Sequence, residues 1–270
     1  MKKLLIFTAC LADNPDQLWR LQKSCDALGI DFKYYGLKEV FVNFRQAKIE
    51  RAIEFLETVK DEYEYCLYTD GFDSWLQLTA DEIVERFEDF NTKIVIAGER
   101  NCYPLTDYVD GFPEAESTSL NIPSSFRYPC AGGFMGKTTD VLAALRTILD
   151  SSSEDDQALW SWAILKSAVE IKIDSLNAIF LSAGSLYRHE IITRFRSLYF
   201  IETQGVPAVI HFRSLYVIET QGVPAVIHFN GPKGGSMIER NMNHFWEITE
   251  SLLLQWKTGT LNEKELVVNK

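Results

Sequence analysis

The segment YTDGFDSW, residues 68–75, ends an apolar run and decides how the chain is read. Residues 65–69 read as a buried strand, so Asp70 stands at its C-terminal end and Asp73 follows three residues later. Ligands of open α/β sheets bind at the carboxyl ends of strands. Two carboxylates there, on a turn kept tight by Gly71, can share one divalent cation. Oxygen ligands suit Mg2+ or Mn2+, ions that bridge nucleotide phosphates. The same residues also fit a strand-ending Asp-Gly turn with a surface acid behind it.

The pattern around this segment alternates strand and helix. Residues 3–9 are a buried-type strand. Asn14-Pro15 starts a helix with the stripe Leu18, Leu21, Cys25 and Leu28, and Gly29 ends it. Strands at 31–35, 65–69 and 93–97 alternate with helices at 47–59 and 80–87. This order predicts an α/β fold, a mainly parallel sheet flanked by helices. Residues 101–127, rich in Pro, Asp, Ser and Gly, read as a long excursion of the kind that carries function. Gly132-Gly133 opens a short strand through Met135, and residues 139–150 and 154–166 read as helices. An amphipathic helix at 236–256 and a polar tail close the chain.

With 270 residues, 46% hydrophobic and 24% charged, the chain has the composition of a globular protein with a sizeable core. Its net charge of -11 argues against a duplex DNA binder. The N-terminal MKKLLIFTAC has a lipoprotein-like look, but its apolar run at 4–7 is short for a signal core and reads as the first strand. No apolar stretch is long enough to span a membrane. Five cysteines without a CxxC pair read as reduced thiols of a cytoplasmic protein.

Three further motifs carry chemistry. VIHFNGPKG, residues 226–234, delivers His228 from a strand into a loop with Gly231, Lys233 and Gly234. Imidazole ligates borderline metals, the glycines let backbone amides approach an anion, and Lys233 can meet a phosphate. A packed, hydrogen-bonded core histidine fits equally. SSSEDDQALW, residues 151–160, puts Asp155 and Asp156 at a helix start. Ser152 or Ser153 would cap that helix and the acids would suit its dipole; alternatively one acid points into a sugar site. RYPCAGGFMGK, residues 127–137, has glycines that permit close approach of a ligand to the backbone, and ERNCYP, residues 99–104, holds Tyr103, able to stack on a sugar or fill the core.

The order DGFD, ERNCYP, YPCAGGFMG, DDQ, IHFNGPKG resembles the glycosyltransferase domain of the procollagen lysyl hydroxylases and its bacterial and viral relatives, from the first strand to about residue 234. The resemblance implies a GT-A-like fold with a mixed acceptor-side region, a UDP-sugar donor and Mn2+, with Mg2+ as the alternative. It makes Asp70, Asp73 and His228 metal ligands. It sets Thr8, Lys48, Phe72, Gly231 and Lys233 at the nucleotide, Phe72 near the uracil and Lys48 near the diphosphate. Asp155 and Asp156 become acids required for transfer, and Asn230 a residue at the sugar end. Tyr103 stands where the collagen enzymes have Trp, so acceptor or sugar preference is expected to differ. The chain then reads as one domain over 1–270: a nucleotide-binding half at 1–100, an acceptor and sugar half at 101–235, and a C-terminal helix and tail at 236–270. The expected activity is transfer of a hexose, glucose or galactose, to an acceptor hydroxyl of a glycan, protein or small molecule, with modified DNA disfavoured by charge. The relatives transfer glucose with retention. A collagen acceptor is not expected, since 270 residues leave no room for a hydroxylase domain.

RSLYFIETQGVPAVIHF, residues 196–212, is followed at once by RSLYVIETQGVPAVIHF, residues 213–229, differing only at Phe200 and Val217. Each copy reads as a hairpin in a tandem duplication, too short and too few for a solenoid. Only the second copy runs into NGPKG, so His228 is expected in the site and His211 outside it. One copy is expected to hold the native strands while the other bulges out or forms an edge hairpin, whose exposed strand would invite a homodimer. Two other functions fit the same acids and histidine: a metal-dependent nucleotide hydrolase or nucleotidyltransferase, and an inactive nucleotide-sugar-binding protein disabled by the duplication.

Overall fold

The computed structural model describes residues 3–116, 123–149, 152–183, 191–194, 197–202, 218–219, 225–229, 242–243, 245–247 and 250. Strand β1 (Leu4–Ala9) is buried along its whole length, as the apolar run predicts for a strand covered on both faces. A 3-10 turn (Pro15–Leu18), capped by Asn14, leads into α1 (Trp19–Leu28), which Gly29 closes at φ 68. Then follow β2 (Asp31–Tyr35), a π-helical turn (Gln46–Glu50) running into α2 (Arg51–Val59), β3 (Tyr65–Thr69), β4 (Ser74–Leu76), α3 (Ala80–Asp89) and β5 (Ile94–Glu99). The Thr79–Glu82 capping box starts α3; a cap of this kind contributes about 1 kcal/mol. β6 (Tyr128–Lys137), α4 (Thr138–Leu149), α5 (Asp156–Leu165), β7 (Ile171–Asp174) and β8 (Phe180–Ser182) complete the body. Four strands lie further on: β9 (Ile191–Arg194), β10 (Ser197–Glu202), β11 (Ile218–Glu219) and β12 (Val226–His228).

The main sheet has the order β2-β1-β3-β6-β5-β7. β1 pairs in parallel with β2 and β3, and β5 with β7, whereas β6 runs antiparallel between β3 and β5. The α/β reading of the sequence therefore holds, with one correction. The glycine pair lies inside a ten-residue strand rather than opening a short one, and that strand separates β3 from β5. Alternate residues of the strands face opposite layers. Leu5, Phe7, Cys66, Tyr68 and Ile96 pack against α2, α4 and α5, while Leu4, Ile6, Tyr65, Leu67 and Val95 pack against α1 and α3.

The second copy of the repeat supplies β12, which pairs antiparallel with β4 and parallel with β8 in a small sheet at the edge of the site. A third core of Trp75, Phe126, Ile227, Phe229, Met242, Phe245 and Trp246 fixes that sheet. The last three fall in the expected C-terminal helix, whose described residues 242–243 and 245–247 are helical. The first copy supplies β10, which forms a separate sheet with β9 and β11. There the Ile-Glu steps of the two copies pair antiparallel and crosswise, Ile201 with Glu219 and Glu202 with Ile218. All five cysteines are unbridged and four are buried. No helix among the described residues is long and apolar enough to cross a membrane.

Asp174, at the end of β7, is fully buried and accepts the backbone N–H groups of Ala178, Ile179 and Phe180 at 2.7–2.8 Å, building the turn into β8. Burial raises its carboxyl from 3.8 to about 6 despite these donors. A raised folded-state value means a stability contribution that is full below 3.8 and is lost as pH rises through about 6. Urea unfolding of the wild type and Asp174→Asn between pH 4 and 8 tests this. Relative to the variant, the wild type should lose roughly 3 kcal/mol across that window and then level off. Parallel curves would contradict it.

Candidate active site

The turn after β3 is shaped by space. A Cβ on Gly71 would lie 2.5 Å from Leu18 Cδ2 and 2.9 Å from Thr8 Cγ2, so only glycine lets the turn lie over the end of β1. Thr69 Oγ1 donates to Ser74 Oγ at 2.9 Å and closes the turn from below. The Asp70 N–H donates to the Gly132 carbonyl at 3.0 Å, fastening the acid to β6. On the far side, the Phe229 N–H donates to the Asp73 carbonyl at 3.0 Å, fastening β12 to the same turn.

These two fastenings bring His228 over β6. A Cβ on Gly132 would stand 2.1 Å from His228 Cε1, and one on Gly133 would stand 2.7 Å from Phe180 Cδ1. The glycine pair therefore makes room for an imidazole and a phenyl ring of the protein itself. Cys130 Sγ lies 3.9 Å from Nδ1, and the other nitrogen, Nε2, faces Asp73 Oδ1 at 3.4 Å and Asp70 Oδ2 at 3.7 Å. Burial works to lower the His228 pKa, but the Asp73 charge, with hydrogen bonds to Asp73 and Cys130, outweighs it and holds the imidazole well above its ordinary value.

A second cluster joins the first at Asp70. Lys48, on the π-helical turn ahead of α2, contacts Asp70 Oδ1 at 2.8 Å and Oδ2 at 3.0 Å, and Asp156 Oδ2 at 3.3 Å. The Tyr68 hydroxyl donates to Asp70 Oδ1 at 2.9 Å. Burial opposes the Lys48 charge, yet the two carboxylates overcome it and keep the lysine protonated. Burial also pushes the Asp156 carboxyl up against the pull of Lys48. Tyr68 and this lysine clamp are partners that the motifs did not reveal; each is set by strand and helix packing, not by local spacing.

Of the residues singled out in the sequence, Thr8, Lys48, Asp70, Asp73, Asp156 and His228 are held at the strand ends of this site, and Phe72 lies half-buried on the same turn. Asp155 is the helix cap, its Oδ1 accepting the Ala158 N–H at 2.8 Å, a correction to the expectation that Ser152 or Ser153 caps. Gln157 ties α5 to its neighbours: its Nε2 donates to Glu99 and to the Tyr103 carbonyl, and its Oε1 accepts the Ala131 N–H. Tyr103 is exposed, which rules out the core-filling alternative. Asn230, Gly231, Lys233 and His211 lie outside the described residues. Among the described residues, no group of three or more His, Cys, Asp or Glu side chains is placed so as to hold a metal ion. The donor set of two carboxylates and an imidazole nevertheless suits a borderline divalent cation.

The PLOD GT domain family matches residues 1–245 of the chain. A curated relative, procollagen-lysine,2-oxoglutarate 5-dioxygenase of Drosophila melanogaster, is 27% identical over 189 residues, which cover 66% of this chain and 25% of that protein. The chain thus spans about a quarter of that relative's length. The crystal structure of a glycosyltransferase involved in the glycosylation of the major capsid of PBCV-1 superposes with a TM-score of 0.51 at 8% identity, covering 90% of this chain and 98% of that one. That likeness is one of fold.

The two glycines make separable predictions. Gly132→Ala should displace the His228 ring, seen as a shift of its imidazole resonances in heteronuclear NMR, while secondary structure by circular dichroism stays. Gly133→Ala should leave those resonances and cost about 1–3 kcal/mol of stability through Phe180. An unmoved His228 ring in Gly132→Ala would contradict the packing described.

Proposed function

The chain belongs to the PLOD GT domain family, and from that membership we propose that it is a metal-dependent glycosyltransferase that moves a hexose, glucose or galactose, from a UDP-sugar to an acceptor hydroxyl. The observation that carries this reading is the meeting of Asp70, Asp73 and the His228 Nε2 at the strand ends, with Lys48 and Asp156 alongside. Asp70, Asp73 and His228 would hold Mn2+, or Mg2+. Bound there, the cation supplies positive charge for the diphosphate that leaves.

The protein's own groups do the rest. Lys48 can donate to the diphosphate from inside a cluster that keeps it charged. Asp156, buried at the start of α5, is aimed by Lys48 toward the same cluster and can steady charge developing at the sugar carbon. Asp155 supports it by fixing the first turn of α5. Thr8 and Phe72 flank the turn on the nucleotide side, and Asn230, Gly231 and Lys233 complete the sugar and phosphate contacts in this proposal. The acceptor is a glycan, protein or small molecule. Unbridged cysteines support a reducing, cytoplasmic setting.

The test is release of UDP from UDP-glucose and UDP-galactose, with a panel of hydroxyl acceptors, in Mn2+ and in EDTA. Release should need the metal, rise with a suitable acceptor, and fall about 100-fold in Asp73→Asn and in Asp156→Asn. Phosphate release from the nucleotide with no sugar transfer would favour a hydrolase. A folded protein that binds UDP-sugar and never consumes it would favour an inactive binder.

A further inference from the structure

Both oxygens of Asp70 are engaged by donors of the chain itself. Lys48 Nζ reaches Oδ1 at 2.8 Å and Oδ2 at 3.0 Å, and the Tyr68 hydroxyl also donates to Oδ1. The same ammonium reaches Asp156 at 3.3 Å, and the side chains of Lys48 and Asp156 are only 13% and 8% exposed. One cation therefore serves two acids, one on the metal-binding turn and one at the start of α5. A divalent ion arriving at Asp70 meets that ammonium on the same carboxylate. Like charges at such short range repel strongly where solvent is excluded. The ammonium also serves Asp156, whose buried carboxylate would lose its nearest cation without it.

We propose that Lys48 is the internal counter-cation of the site: it neutralises Asp70 and Asp156 until the donor arrives, opposes binding of the metal alone, and passes to the diphosphate when metal and nucleotide bind together. The proposal rests on the reading above in which Asp70 holds the metal. It makes metal and nucleotide binding interdependent, and by linkage each must strengthen the other by the same factor. The surroundings offer the lysine a second place to donate. Tyr35 ends β2 with its ring stacked on Phe55 at 5.4 Å, and its buried hydroxyl has no hydrogen-bond partner among the described residues. Burial keeps that phenol protonated, with Lys48, Asp70 and Asp156 as its neighbouring charges. A neutral hydroxyl there can accept from the ammonium as it turns from Asp70.

Calorimetric titration with Mn2+ alone, and with UDP in saturating Mn2+, tests this on the wild type, Lys48→Gln and Lys48→Arg. Lys48→Gln should bind Mn2+ alone roughly tenfold or more tightly than the wild type, while its UDP binding in Mn2+ weakens by a similar factor. Lys48→Arg, which keeps the charge, should stay as weak toward Mn2+ alone as the wild type. A double variant, Lys48→Gln with Asp156→Asn, removes the cation together with one buried acid and so guards against a folding defect; it too must bind Mn2+ more tightly. Unchanged or weaker Mn2+ binding in the folded variants, with metal-dependent UDP binding intact in the wild type, would overturn the proposal and leave Lys48 a phosphate contact only. Absence of metal-dependent UDP binding in the wild type would overturn instead the metal-dependent, UDP-sugar reading on which the proposal rests.

Discussion

The site depends on the fit of the His228 ring against the bare backbone of Gly132. β6 passes antiparallel beside β3, so the Gly132 carbonyl can accept from the Asp70 N–H. β12 crosses from the other side and is fastened to the same turn through Asp73. The imidazole fills the gap between these two attachments. Any side chain at Gly132 would push it away from the acids, because the ring lies closer to that position than a van der Waals contact permits. One missing methyl group thus joins the main sheet to the small one and lines up a histidine with two carboxylates.

Much of this was legible because it is local. β1, α1, β2, β3 and α3 each carry their own period, and the punctuation at Asn14, Gly29 and Gly71 is chemical. The position of Asp70 at a strand end follows from the strand alone. What the pattern could not supply was strand order. Alternation of β and α predicts parallel neighbours, and nothing in residues 128–137 announces that this strand inserts between β3 and β5. β4 was missed because three buried residues, Ser74–Leu76, follow the DGFD turn too closely to show a period of their own. The Lys48 clamp was invisible for a related reason: it joins acids 22 and 108 residues away through the packing of α2, α4 and α5 on one face of the sheet. The cap of α5 falls on Asp155 and not on a serine, a choice the sequence leaves open because serines two and three residues earlier offer equally good capping chemistry.

The repeated segment shows how a fold can take up two near-identical pieces of chain in different sheets. A strand slipped by an odd number of residues presents the wrong face, so a second copy cannot simply lengthen β12. Instead β12 is short, bounded by β4 and β8, and locked by Trp75, Ile227 and Phe229 in its own core. The described strand of the first copy, β10, pairs elsewhere, and there the Ile-Glu steps of the two copies pair crosswise, Ile with Glu. In the sequence only the second copy is followed by NGPKG, residues 230–234, where the proposed function puts the sugar and phosphate contacts.

Titration of the folded protein with UDP by calorimetry, in Mn2+ and again in EDTA, tests the central claim most directly. The account predicts saturable binding in Mn2+ and a loss of at least roughly tenfold in affinity without it, because Asp70, Asp73 and His228 then act through the ion. Equal binding in both conditions, or none in either, would contradict it.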